Sequence, residues 1–479
     1  MTSSVKKISF VLLLLLAVVA GSEFSRVPKT SGLLSNEVFV WQRDWNDAVK
    51  QGIRERQNDF SGFIPLAAEV SFKNGQPEVF RPPLDWNVLR ATGKPIGLAL
   101  RIGPYRSAGV PPARDSRQPD PRPSRQSLGI VRDRPFGNDA RSEQRTASVS
   151  GASVYAAGTA ALHDARFLAA LSQSLIATAR SNQVQVSELQ LDFDCAESKL
   201  ADYRTRVETI KSALPDTPVT ITALPSWLDR WSFRSLAKAS DGYVLQVHSL
   251  SLPADGSHQP AICDPVAARK AVESAARIGV PFRVALPTYG YVTGFDANGR
   301  FLGLSAEGPD INWPPFSETR RVMTDAGEMA ALVRDWTKDR PAAMRGLIWY
   351  RLPVAGDKLN WTWPTLAAVM QGREPNRKIE TRAMQPRPGL VEIEMFNAGE
   401  TEVPLTTPVS IQWRHARLIA GDGLGGFALS RNTSQRAQFV RQSTNNVAYL
   451  SPNQSTRIGW LRFDQPTHVN VELSHAEKL

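Results

Sequence analysis

The sequence predicts an α/β protein: a closed (β/α)8 barrel of the TIM type, followed by a small all-β sandwich of immunoglobulin-like kind. Through the first 370 or so residues, short apolar runs alternate with helical patterns. These runs are too hydrophobic for either face to meet water, as in a parallel sheet. They number eight, which suits a closed barrel better than an open sheet. No glycine-rich phosphate turn follows the first run, so a dinucleotide-binding fold lacks its fingerprint. After Gln371 the pattern shifts to short alternating runs punctuated by turn residues, as in an antiparallel sandwich.

The N-terminus reads as an export signal. Lys6 and Lys7 precede an apolar stretch from Phe10 to Val19, and Ala20, Gly21 and Ser22 supply a small-residue exit. Segment 1–22 is therefore a predicted signal peptide, an uncleaved anchor being the competing reading. No cysteine stands at the exit to take a lipid, and no later run approaches spanning length. The expected location is periplasmic or secreted, with no membrane contact beyond the signal segment.

The barrel is expected over 33–372. Its strands are "EVFVWQRDW" (37–45), "GFIPLAAEV" (62–70), "KPIGLALRIG" (94–103), "LQLDFD" (189–194), "TPVTITALPSW" (217–227), "DGYVLQVHSL" (241–250), "PFRVALPTYG" (281–290) and "RGLIWYRLP" (345–353). Helical patterns occupy 45–57, 164–183, 200–215, 264–279 and 325–339. Between the third strand and its helix, 104–160 is rich in Pro, Ser, Arg and Gly and reads as a basic disordered insertion. Residues 373–389 read as a linker and 390–479 as the sandwich.

A chain of 479 residues with 42% hydrophobic content can bury more than one core. Its net charge of +11 is uneven: Arg101 to Arg145 holds ten arginines against five acids. Nucleic acid is not expected as a partner, because these arginines lack interleaved stacking aromatics. In an oxidising compartment Cys195 and Cys263 are expected to form a disulfide, two buried thiols being the alternative. The six histidines are scattered without ligand spacing, so no metal and no cofactor is expected. No G-x-S-x-G elbow occurs.

The chemistry concentrates at strand ends. In "LQLDFD", alternation puts Gln190, Asp192 and Asp194 on one face and Leu189, Leu191 and Phe193 on the other. The apolar set must pack on helices, which turns the acids into the barrel at its carboxyl end, where such barrels keep their sites. Aspartates two apart lie about 6.5–7 Å from each other, close enough to perturb one another in a dry pocket. Glu69 ends the second strand, Arg101 the third, Gln246 and His248 the sixth, Tyr289 the seventh, and Trp349 and Arg351 the eighth. Acids and aromatics around one mouth suit a carbohydrate. Arg101 and Arg351 could equally neutralise the acids. Trp227, Trp313, Trp361 and Trp363, near strand ends, could line subsites, although packing is the first reading for each taken alone.

The stretches "LQLDFDCAESKLADY", "ITALPSWL", "LQVHSL" and "AGDGLGGF" resemble a family of exported bacterial proteins known as a domain of unknown function. More remotely, the alternating acids of strand four, "LPTYGY" in strand seven and "GLIWYRL" in strand eight resemble chitinase-type glycoside hydrolase barrels. That likeness implies supporting roles for Asp192 and Asp194 and a sugar floor at Trp349. It departs where such barrels place their catalytic glutamate: Ala196 holds that alternating position, with Glu197 one residue later. Strand six offers Gln246 and His248 in place of a tyrosine–aspartate ending.

The expected function is a glycoside hydrolase-like enzyme of the cell envelope, acting on a polysaccharide by paired-carboxylate chemistry. Asp194 or Glu197 is the expected general acid, with Asp192 tuning it and Glu69 as second carboxylate. The alternatives are a non-catalytic glycan-binding barrel with a docking sandwich and, more distantly, a structural envelope protein. A monomer is expected.

Overall fold

The structure is a computed structural model and describes residues 27–73, 76–106, 151–193, 195–249, 261–306, 312–442 and 448–474. The signal segment, the bulk of the basic insertion, and Asp194 lie outside the described residues. Eight parallel strands close the barrel: β1 (Ser35–Val40), β2 (Gly62–Lys73), β3 (Ile96–Arg106), β4 (Val186–Phe193), β5 (Val219–Ala223), β6 (Tyr243–Gln246), β7 (Phe282–Pro287) and β8 (Met344–Tyr350). Each strand pairs with the next, and β8 pairs with β1 to complete the ring.

The outer layer comprises α1 (Asp47–Arg56), α2 (Trp86–Ala91), α3 (Gly151–Ser181), α4 (Leu200–Ala213), α5 (Trp231–Ala239), α6 (Pro265–Ala276), α7 (Ala326–Lys338) and α8 (Trp363–Met370). Asn46, Asp85, Asp264 and Asp325 accept first-turn N–H bonds and start α1, α2, α6 and α7. The expected insertion is shorter at both ends than 104–160, because β3 continues to Arg106 and α3 begins at Gly151. Alanines 156, 157, 160 and 161 favour helix there. Two features were not expected: a hairpin strand, Gln76–Phe80, on β2, and a three-stranded antiparallel sheet (Gly290–Phe295, Phe301–Ser305, Glu318–Met323) between β7 and α7. Among the described residues, no helix is long and apolar enough to cross a membrane.

The wall of β4 separates two environments. Leu189, Leu191 and Phe193 are buried against the helices, where the Tyr203 hydroxyl donates to the Leu191 carbonyl at 2.9 Å. The interior holds a separate small cluster of Phe39, Ile64, Ala99, Val244, Ala285 and Ile348. Beneath it, toward the amino ends of the strands, Arg283 of β7 donates to Glu37 of β1 at 2.5 Å and to Glu188 of β4 at 2.7 Å. The Thr220 hydroxyl donates to the same Glu188 oxygen at 2.8 Å. Gly97 makes room for this triad: a Cβ there would lie 3.1 Å from Glu188 Cγ and 3.2 Å from Ile64.

No disulfide joins Cys195 and Cys263, contrary to expectation. The Cys263 thiol is buried and donates to the Val247 carbonyl at 3.3 Å, and burial pushes its pKa up to about 12. Its sulfur is therefore committed to the chain just beyond β6, as a small apolar filler.

After the barrel, two four-stranded antiparallel sheets face each other. One has the order β9 (Ile379–Arg387), β10 (Leu390–Asn397), β15 (Ser455–Phe463), β12 (Leu418–Gly423). The other runs β13 (Phe427–Thr433), β14 (Arg436–Arg441), β11 (Val409–Trp413), β16 (Val469–Leu473). Val391, Ile393 and Met395 of the first sheet share a core with Val409, Ile411 and Phe439 of the second. This is the expected sandwich.

Removing Arg283 leaves two carboxylates in the barrel without their counter-charge. Burial lifts the Glu37 carboxyl above its ordinary value of 4.5, with Arg283 pulling it down and Glu188 pushing it up. A raised carboxylate stabilises the fold at pH below its unfolded value and loses that contribution as pH rises through the folded value. Arg283→Met is therefore expected to cost about 3–5 kcal/mol at neutral pH. The deficit should narrow toward pH 5, as measured by denaturant unfolding at both pH values.

Candidate functional site

The carboxyl ends of β2, β3 and β4 bring three of the expected residues into one row. Glu69 stands opposite Arg101 in the β2–β3 register, and Arg101 opposite Asp192 in the β3–β4 register. Residues opposite one another share a face, so all three project to the same side. A register shift between Leu66 and Ala68 brings Glu69 into phase with Arg101. Arg101 Nε lies 4.0 Å from Asp192 Oδ2, and Arg43, beyond β1, lies 2.5 Å from Glu69 Oε2. Both carboxylates keep some exposure, 14% for Glu69 and 16% for Asp192, so solvent reaches this end of the barrel.

Aromatic rings complete the mouth. Tyr350, last in β8, packs on Phe39 at 5.8 Å, Trp41 at 5.5 Å, His248 at 5.7 Å and Tyr289 at 5.6 Å. Tyr289 packs edge-on against Tyr291 at 5.3 Å. Burial raises the Tyr350 hydroxyl well above its ordinary value, with Arg101 opposing and Asp192, Tyr291 and Glu69 adding to the shift. Tyr350 therefore lies within electrostatic reach of the whole row. Its hydroxyl stays protonated at neutral pH and can donate.

His248 is buried, and its Nδ1 lies 3.1 Å from the Tyr289 hydroxyl. Gln246 Nε2 donates to the His248 carbonyl at 3.2 Å. Burial lowers the imidazole to about 3, so the ring is neutral at physiological pH. It orients Tyr289 and does not act as a cation.

Other expected site residues lie elsewhere. Trp349 is fully buried on the outer face of β8, donating its indole N–H to Asn36 at 2.9 Å beside Trp361. Tyr350 takes the inward position assigned to it. Arg351 is half a step further round, donating to Asp357 at 3.1 Å and bracing the loop after β8. Glu197 leaves the strand on a 3-10 turn and pairs with Arg230 at 2.6 Å, so it is not in the inward row. Asp194 lies outside the described residues.

The tryptophans weighed as subsite or packing residues are packing residues. Trp227 and Trp361 are buried, and Trp363 packs on Phe60 at 5.8 Å with Arg56 4.3 Å above its ring. Trp313 lies against Gly294 and Gly303 of the inserted sheet. Only Trp231 stands open, 78% exposed at the start of α5 and next in sequence to Arg230. Trp41, Tyr291 and Tyr350 were missed. In Tyr350's case the signal was alternation through Gly346 and Ile348, one residue out of phase with the Trp349 choice. Among the described residues, no group of three His, Cys, Asp or Glu side chains clusters closely enough for a metal ion.

Residues 153–355 match a family model described as a domain of unknown function (DUF3142). Residues 380–464 match a second, also of unknown function (DUF8456). The resemblance to a domain of unknown function is thus met on both parts of the chain. No curated protein matches it. Among solved structures, it is similar to the spore cortex-lytic enzyme SleL of Bacillus megaterium QM B1551, at 13% identity and a TM-score of 0.45, over 72% of this chain and 75% of that one. It is similar to a chitinase from Chromobacterium violaceum ATCC 12472 at 12% identity and TM-score 0.40, over 71% and 98% of the two chains. The GH18 chitinase ChiB of Flavobacterium johnsoniae matches at 10% identity and TM-score 0.38, over 71% and 94%.

The imidazole of His248 is expected to stay neutral from pH 8 to 5, visible as unchanging ring resonances. A lowered histidine supports the fold at high pH and withdraws that support as pH falls below its unfolded value of 6.5. Stability should therefore decline from pH 7 to 5, and His248→Gln should flatten that decline. A ring that titrates near 6.5 contradicts the buried environment.

Proposed function

We propose that the barrel mouth hydrolyses a glycan of the cell envelope, with Glu69 and Asp192 as its paired carboxylates. The observation that carries this is the inward row Glu69–Arg101–Asp192 facing Tyr350 and its aromatic neighbours. Two strand spacings of about 4.8 Å separate β2 from β4, so the carboxyl groups, converging inward, fall near the roughly 6.5–9.5 Å of an inverting pair. That gap leaves room for a water between the sugar and the base. Glu69, in the tighter ion pair, accepts the proton of the attacking water. Asp192, whose arginine is more distant, gives its proton to the leaving oxygen as the glycosidic bond breaks. Tyr350 donates to a sugar hydroxyl, and the rings of Trp41, Tyr289 and Tyr291 offer apolar faces to sugar C–H groups.

The apolar N-terminal run supports an exported protein, and hence an envelope or extracellular glycan. A second reading, glycan binding without turnover, is favoured by one observation: Glu69 and Glu197 are each already held by an arginine.

One experiment separates the two. Purified protein is offered a panel of envelope and plant polysaccharides, and new reducing ends and product anomers are measured. The expected outcome is turnover with inversion, reduced about 100-fold or more in both Glu69→Gln and Asp192→Asn, at little change in KM. Variants within twofold of wild type mean that this pair is not catalytic. Binding without new reducing ends in the wild type establishes the second reading.

A further inference from the structure

The inserted sheet between β7 and α7 has two faces with different partners. Its central strand, Gly290–Phe295, carries Tyr291, whose ring packs on Tyr289 and through it on Tyr350 at the mouth. In the antiparallel register Tyr291 stands opposite Val322, and Val292 opposite Arg321. Adjacent residues alternate faces, so Arg321 projects away from Tyr291, on the back of the wall that Tyr291 presents to the mouth.

There Arg321 meets the sandwich. It pairs with Glu402 at 2.7 Å, and its guanidinium lies 4.9 Å from the Tyr449 ring centroid. Both side chains of the pair are largely covered, at 18% and 23% exposed, so solvent screens them less than a surface pair. Glu402 also accepts from the Ser451 hydroxyl at 3.2 Å, which fixes it from the sandwich side. Arg321 further donates to the Lys358 carbonyl at 2.8 Å. That loop in turn pairs with the strand's start, where the Gly290 N–H donates to the Leu359 carbonyl at 2.8 Å. Two more contacts hold the sandwich in place. Glu400 takes both Arg373 nitrogens, at 2.6 and 2.8 Å, and its carbonyl accepts from the Thr365 hydroxyl at 2.7 Å.

We infer that the sandwich braces the aromatic wall of the mouth, with Arg321 as the positioning residue that transmits its support to Tyr291 and Tyr289. The sandwich is then a structural part of the site and not only an appended docking module. The consequence for turnover rests on the function proposed above, whereas the consequence for the wall does not.

Hydrogen exchange on the full-length protein tests it. Glu402→Gln removes only the sandwich's charge, while Arg321→Ala removes the whole node. In both, amides of Gly290–Phe295 are expected to exchange about tenfold faster, while those of β7 keep wild-type protection. The exchanged-charge double variant, Arg321→Glu with Glu402→Arg, should recover part of the protection. Unchanged exchange across Gly290–Phe295 in Glu402→Gln, with the sandwich still folded, overturns the inference even if Arg321→Ala fails to fold. On a glycan that the wild type hydrolyses, KM should rise several-fold with kcat nearly held. Faster exchange in a protein that hydrolyses no glycan upholds the brace and removes the proposed function.

Discussion

The ion triad of Arg283 with Glu37 and Glu188 sets the phase of the barrel. Three charges largely covered inside a ring are tolerable only when they meet, so β7, β1 and β4 must all turn these residues inward at one level. Strand alternation carries that choice upward. Glu188 inward places Gln190 and then Asp192 inward, Glu37 does the same for Phe39 and then Trp41, and Arg283 for Ala285 and Pro287, with Tyr289 following. A slip of one residue in any of these strands would bury an unpaired charge among the helices and turn a mouth residue away. The lower network is therefore what aims the upper one.

The two ends of the barrel serve different purposes through the same residue types. Below, Glu188 is saturated by a guanidinium and a hydroxyl, and Gly97 makes the space for it. Above, the arginines stand at unequal distances from the acids, with hydroxyl-bearing rings close by. Saturation of this kind suits a frame. His248 belongs to the frame despite its position, because burial keeps it uncharged and its Nδ1 contact steadies Tyr289.

How far this was legible in the sequence follows from how sharply each strand distinguishes its faces. In β4 polar residues at 188, 190 and 192 alternate with leucines, so the inward edge is plain. In β8 Leu347, Ile348, Trp349 and Tyr350 are all apolar or aromatic, and a strand buried on both sides gives hydrophobicity nothing to choose with. The phase there was read one residue out, and Trp349 was credited with the place of Tyr350. Glu69 was found because it ends its strand, although the register shift that aligns it is invisible without the neighbouring strand. The disulfide was inferred from compartment and cysteine count, which say nothing of where the sulfurs point. The inserted sheet is not legible because Gly290 to Phe295 runs on directly from the seventh strand, while Glu318 to Met323 is polar and far along the chain.

Among twelve tryptophans, Trp231 is the most open to water, at 78% exposed, and it stands at the head of α5 beside the Arg230–Glu197 pair. A collisional quencher dissolved in the buffer meets this indole first, the half-buried ones less often, while those walled into the cores go on emitting. The molecule thus carries an optical reporter at one known spot on its rim, with no label attached. Any solute that settles near the β4 and β5 loops will shield that indole, and loss of quenching will register its arrival whether or not a bond is broken.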